Sequence, residues 1–261
     1  PLLISRDAGG GWHVDWNPDS VLAAREHAGQ RGGKRVVWIG CPGIAVPAEE
    51  EAALTEALWA LSCVPVFLDA ELHDSFYAGF CRSFLYPIFH NVIEAGSFKA
   101  SRWRAYCTVN RRFAEKVIEV YEPGDVIWIH DYHLLLLPSV VLRKLRTARV
   151  GLFLHTPFPS SEIFRTISVR DELLRGMLNA DIVGFHVFEY ARHFLTCCKR
   201  MLGLSCHFLP GGAIGVLEDN HSVLVQVTHA GIDPELLTEA LAAPPSPLRL
   251  SSSVSPDEAF E

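Results

Sequence analysis

Five short apolar runs, each trailed by a longer segment of helical periodicity, leave this chain few folds to choose from. The runs are RVVWIG (35–40), VPVFL (64–68), DVIWIH (125–130), RVGLFLH (149–155) and DIVGFH (181–186). Each is too short for a helix, rich in β-branched or aromatic residues, and apolar throughout rather than alternating. Between them lie helical patterns at 49–62, from about Leu72 to Val92, at 102–121, 137–146, 170–179 and 189–202. The clearest is 102–121, where Tyr106, Val109, Phe113, Val117 and Val120 share one face. Strands that alternate with helices and are apolar on both sides imply a parallel sheet covered on both faces. The expected fold is α/β, a doubly wound, Rossmann-like parallel sheet. A later run, SVLVQV (222–227), adds a strand, and from residue 243 a Pro- and Ser-rich stretch without periodicity reads as a flexible tail or linker. The expected division is therefore a folded domain over 1–242 and a tail over 243–261.

Composition narrows the function classes. A net charge of −7 gives no electrostatic reason to expect nucleic acid or an anionic membrane surface as partner. No apolar run approaches the roughly 20 residues that cross a bilayer. The first residues, PLLISRDAGG, show neither an initiator Met nor a signal-peptide pattern, so the chain reads as part of a longer one. Seven cysteines, an odd number with no Cys-x-x-Cys, fit reduced thiols in a cytoplasmic setting and give no zinc signature.

Chemistry concentrates where the strands end. His130-Asp131, His155 and His186 fall at the carboxyl ends of three successive strands, the edge at which open parallel sheets bind ligands. The cluster HDYH (130–133) admits four readings: metal ligands, an acid–base set, a sugar-binding rim, or a merely polar strand end. Against metal, strand alternation sends His130 and Asp131 to opposite sides, and no His-x-x-x-His helix accompanies them. After His155, Pro157 and Pro159 break any ladder and force a shaped loop, and Ser160-Ser161-Glu162 then signals a helix start. FYAGFCRSFLYPIFH (76–90) carries Tyr77, Tyr86 and His90, and tyrosines offer a sugar both an apolar face and a hydroxyl.

VIWIHDYHLLLLP, GLFLHTPFPSSEIFRT, RDELLRGMLNADIVGFHVFEYARHFL and HAGIDPEL, together with the 76–90 segment and WRAYCTVNRRFAEKV, resemble the N-terminal domain of trehalose-6-phosphate synthases. The likeness runs in order over about residues 36–237, and EYARHFLTCCKRMLGL is similar to long eukaryotic chains that fuse synthase-like and phosphatase-like parts. The resemblance implies the acceptor-binding half of a retaining GT-B glycosyltransferase. Such enzymes transfer glucose from UDP-glucose to glucose 6-phosphate without a metal or other cofactor. It further implies that Asp131 binds acceptor hydroxyls in the catalytic centre and that His155 contacts the donor glucose. Tyr132 and His133 would line the acceptor pocket, with Tyr77 near its phosphate.

Departures from the family pattern accompany the matches. Where the family opens Ser-Asn-Arg-Leu-Pro, this chain has ISRDAG, so Arg6 is a displaced counterpart of a phosphate-binding arginine. A glycine pair that lets backbone approach donor phosphates is replaced by WNPDSVLAA. Cys41 stands for the second Trp of Trp-x-Gly-Trp, Tyr86 for another pocket Trp, and Asn220-His221 for a Gly-Arg pair. The residues that would hold UDP belong to a further domain outside these 261 residues, so this stretch alone is expected to be inactive. A sugar-phosphate-sensing or regulatory role is the alternative.

Overall fold

The computed structural model describes residues 2–6, 11–17, 35–92, 97–208, 213–218, 221–229 and 238. Most of WNPDSVLAA (residues 18–24), Asn220, and the expected tail with its boundary at 242/243 lie outside those residues. The chain divides into a compact unit, Pro1–His229, and a second one, Ala230–Glu261. The following concerns the first.

Among the described residues ten strands form in chain order: β1 (Leu2–Arg6), β2 (Trp12–Trp16), β3 (Trp38–Gly40), β4 (Cys63–Pro65), β5 (Val126–His130), β6 (Arg149–Leu154), β7 (Ile182–Phe185), β8 (Ser205–Phe208), β9 (Ile214–Glu218) and β10 (His221–Val227). The main sheet runs β5-β6-β7-β10-β9-β8. β5, β6, β7 and β10 are mutually parallel, whereas β9 and β8 join antiparallel. The expectation of a purely parallel sheet thus holds for the half that carries the histidines. The antiparallel half follows from short links: the two residues between β9 and β10 allow a hairpin but no crossover. β3 and β4 pair with each other in a separate two-stranded sheet, as do β1 and β2.

The helices are α1 (Glu51–Trp59), α2 (70–89), α3 (Ala100–Val120), α4 (Leu137–Leu142), α5 (Ser161–Phe164), α6 (Arg170–Leu178) and α7 (Phe188–Leu202). One core unites α2, α3, α4, α6 and α7 with the strands, and Val150, Leu152 and Leu154 of β6 are fully buried in it. A smaller cluster around Leu54, Leu58 and Cys63 gathers side chains of β1, β2 and β3. The expected coverage of both sheet faces is not complete. Val126 and Trp128 of β5 are exposed, since β5 ends the sheet among the described residues.

α2 is unusual within. Asp69 caps its start by accepting the Leu72 amide at 2.8 Å, and its middle, Asp74–Leu85, is π-helical. A π-turn spreads over more residues than the 3.6 of an α-helix. Residues nine apart, opposed on an α-helix at about 100° per residue, therefore return toward one face. Tyr77 and Tyr86 are nine apart.

Candidate active site at the strand ends

β5, β6 and β7 are neighbours in register, His130 pairing with Phe153 and Leu154 with Phe185. The residues that end them are therefore brought side by side. His130 Nδ1 lies 3.0 Å from His155 Nε2, and His155 Nδ1 lies 3.3 Å from His186 Nε2. Trp128 stacks on His130 at 5.4 Å, and Phe153 stands against both His155 and His186 at 4.9 Å.

Asp131 leaves β5 with φ 64° and ψ −177°, a region used almost only by glycine. Its neighbours hold it there. Its amide donates to Phe153 O at 2.7 Å. Its Oδ1 accepts from the amides of His155 (3.3 Å) and Thr156 (3.1 Å) and from the Thr156 hydroxyl (2.9 Å). All three bonds fall on Oδ1, which leaves Oδ2 to accept from a ligand. Thr156 had no sequence signal; its role exists only because β5 and β6 are adjacent.

Tyr132–Leu134 is a turn of 3-10 helix between β5 and α4. α3 holds it. The fully buried Tyr106 hydroxyl donates to Tyr132 O at 2.9 Å and accepts the Leu135 amide at 3.0 Å. One turn on, Asn110 donates to His133 O at 3.4 Å and accepts the Leu136 amide at 3.2 Å. Sequence periodicity placed Tyr106 on the apolar face and passed over Asn110; neither announced this second use.

The tyrosines expected at the site do converge. Tyr77 stacks with His133 at 5.9 Å, Tyr86 contacts Tyr132 at 6.0 Å, and Tyr132 and His133 lie 4.1 Å apart. Tyr77 and Tyr86 remain exposed, as a binding wall requires. Burial pushes the Tyr132 phenol above its ordinary value, so it stays a donor. Burial also pushes the His133 imidazole down, against the opposing pull of Asp131, and so favours its neutral form.

The loop after His155 is fixed by Phe158, fully buried among Phe89, Phe164, Phe185 and Phe194, and by the Phe158 carbonyl 2.9 Å from His193 Nδ1. The helix start signalled by Ser160-Ser161-Glu162 appears as α5, but without a side-chain cap; Ser161 Oγ instead accepts from Arg200 at 3.0 Å. Arg6 is engaged elsewhere, donating to Glu50 at 2.5 Å and lying 4.5 Å over the Trp12 ring. Among the described residues no group of three or more His, Cys, Asp or Glu side chains is arranged to hold a metal. The three imidazoles bond to one another instead of facing a shared point. Two clefts of about 400 and 680 Å³ are lined by other residues, Arg165 and Arg200 in one and Arg112 and Glu115 in the other, and by none of His130, Asp131, His155 and His186. The strand-end set lies along one edge of the sheet, with the exposed rings of Tyr77 and Tyr86 beside it.

A mostly parallel sheet with helices, carrying its polar side chains at the strand ends, defines a Rossmann-like domain of the kind that forms one half of GT-B glycosyltransferases. A UDP-forming α,α-trehalose-phosphate synthase from Burkholderia xenovorans, in complex with glucose-6-phosphate, shares this fold at 24% identity and a TM-score of 0.64, over 68% of this chain and 39% of that one. The family model of glycosyltransferase family 20 matches residues 3–252, and the chain belongs to that family. It is 41% identical to α,α-trehalose-phosphate synthase [UDP-forming] 5 of Arabidopsis thaliana over 94% of its own length and 29% of that protein's. It is also 32% identical to the N-terminal domain of a Candida albicans trehalose-6-phosphate phosphatase, with a TM-score of 0.71 over 84% of this chain and 47% of that one. The chain thus spans less than half the length of these relatives.

Proposed function

We propose that the chain is the acceptor-binding part of a UDP-forming trehalose-phosphate synthase, serving glucosyl transfer from UDP-glucose to glucose 6-phosphate. One observation carries this reading: Asp131 and His155 sit side by side at adjacent strand ends, locked by Thr156, with Tyr77, Tyr86, Tyr132 and His133 gathered next to them. Asp131 Oδ2 accepts from acceptor hydroxyls, neutral tyrosines and His133 form the wall, and His155 meets the donor glucose. The bond from glucose C1 to UDP breaks, C1 bonds to the acceptor oxygen, and the departing phosphate takes the acceptor's proton. Arg6 reaches the acceptor phosphate only by leaving Glu50. The donor phosphates are held by a further domain. Seven free thiols support a cytoplasmic setting.

The engagement of Arg6, and the similarity to the N-terminal domain of a phosphatase, favour a second reading: a non-catalytic sugar-phosphate-sensing domain attached to a phosphatase. Both readings require acceptor binding. With few cations at the rim, glucose 6-phosphate binds this chain with a Kd of order millimolar, about 4 kcal/mol. Calorimetric titration should show that binding and its loss in Asp131→Asn, which keeps the Oδ1 acceptor but removes the charge. Equal binding by the variant would overturn the assignment of the acceptor site.

A further inference from the structure

The central histidine of the strand-end row has both ring nitrogens turned to other imidazoles. His155 Nε2 meets His130 Nδ1 at 3.0 Å, and His155 Nδ1 meets His186 Nε2 at 3.3 Å. A neutral imidazole carries one N–H, so each of its nitrogens is either the donor or the acceptor. Two arrangements satisfy both bonds. In the first, His186 Nε2–H donates to His155 Nδ1, His155 Nε2–H donates to His130 Nδ1, and His130 keeps its proton on Nε2. In the second, His130 Nδ1–H donates to His155 Nε2, His155 Nδ1–H donates to His186 Nε2, and His186 keeps its proton on Nδ1. All three rings carry the same tautomer in either case.

We propose that His130 and His186 are positioning residues for His155, forming with it a relay in which the three tautomers are set together. The consequence reaches across the row: the protonation of the far nitrogen of His130 dictates that of the far nitrogen of His186, two strands away. Adding hydrogen bonds in series strengthens each through polarisation, which favours the two ordered arrangements over mixed ones. The surroundings suit this. Trp128 covers His130, and Phe153 flanks His155 and His186. Phe153 can lie there because residue 184 is glycine; a Cβ at that position would come within 2.4 Å of its ring. The adjacent carboxylate, Asp131, accepts from the His155 amide and so fixes the backbone rather than competing for the ring. His155 is thereby held in one ring orientation with both nitrogens engaged, so a ligand meets its ring edge or takes the place of one of the two bonds. That His155 touches the donor sugar rests on the function proposed above; the coupling of tautomers does not.

The test is 15N NMR of ring-labelled histidines in the whole chain at about pH 8, above the ordinary histidine value. His130, His155 and His186 should each show one dominant tautomer, the same in all three. In His155→Phe, both bonds vanish, and the 15N shifts of His130 and His186 should move away from those of the unaltered chain. His155→Gln, which can donate and accept through its amide, should move them less. Different tautomers among the three in the unaltered chain, a free-imidazole mixture in each, or His130 and His186 signals unmoved in the folded Phe or Gln variant would overturn the relay. The unaltered chain needs no variant to fold, so it decides by itself. Glucose 6-phosphate titration reads separately: its failure would sink the acceptor site and leave the shared tautomer standing.

Discussion

Asp131 does two jobs with two oxygens, and substitutions separate them. Oδ1 ties the loop after β6 to the end of β5 through three donors. Asp131→Ala strands those donors and should cost about 1–3 kcal/mol in urea unfolding. Asp131→Asn retains an Oδ1 acceptor and should cost clearly less; equal losses would show that the oxygen does not hold the loop. His133 makes a pH prediction. Its folded value is pushed below the ordinary one by burial, the nearby Asp131 opposing. As pH falls, the unfolded chain therefore binds the proton first. The stability linked to neutral His133 is whole above about pH 6.5 and is lost as pH drops through that value toward the lowered one. In His133→Phe the decline of the thermal midpoint from neutral toward acid pH should be shallower. An unchanged slope would mean that His133 titrates alike in both states.

α3 serves the site as well as the core. Tyr106 and Asn110, one turn apart and fully buried, bond the backbone of residues 132, 133, 135 and 136. Tyr106→Phe leaves Tyr132 O and the Leu135 amide without that partner in a dry place, which should cost about 2–4 kcal/mol. Because the two side chains hold one turn, Tyr106→Phe with Asn110→Ala should lose less than the sum of the single losses. Strict additivity would show that the turn is held from elsewhere. Gly176 of α6 packs against the same region, where a Cβ would stand 2.5 Å from Leu135 O, so helix and turn meet backbone to backbone. The π-helical stretch of α2 turns Tyr77 toward His133 and Tyr86 toward the adjoining Tyr132.

At the scale of the molecule, the function proposed above makes the domain one wall of a two-sided site. Cationic groups acting on a diphosphate leaving group contribute several kcal/mol to the transition state of such transfers. These 261 residues should therefore bind glucose 6-phosphate weakly yet release no UDP from UDP-glucose in its presence. A coupled UDP-release assay showing turnover that depends on both sugars would overturn that expectation. Among the described residues no helix is long and apolar enough to cross a membrane.

The runs that became β5, β6 and β7, the helices between them, and the placing of His130, His155 and His186 at strand ends were all readable from residue order. Hydrophobic periodicity is a local property, and burial of a continuous apolar run allows few outcomes. Asp131 stood out at a strand end and Tyr77 and Tyr86 in an aromatic helical segment, the motif resemblance supplied their roles, and three-dimensional neighbours gave them their geometry. Only the tertiary structure decided the rest: the antiparallel half of the sheet, the winding of α2, the clamp of Tyr106 and Asn110, the grip of Thr156 on Asp131 and the joining of three imidazoles. The side-chain bonds among these are choices of partner made between residues about twenty or more apart in sequence, the antiparallel pairing joins nearer neighbours across short links, and the pitch of α2 is set by what it packs against. A polar side chain carries the same donors and acceptors wherever it stands; which of them it spends, and on what, depends on the neighbour that folding delivers.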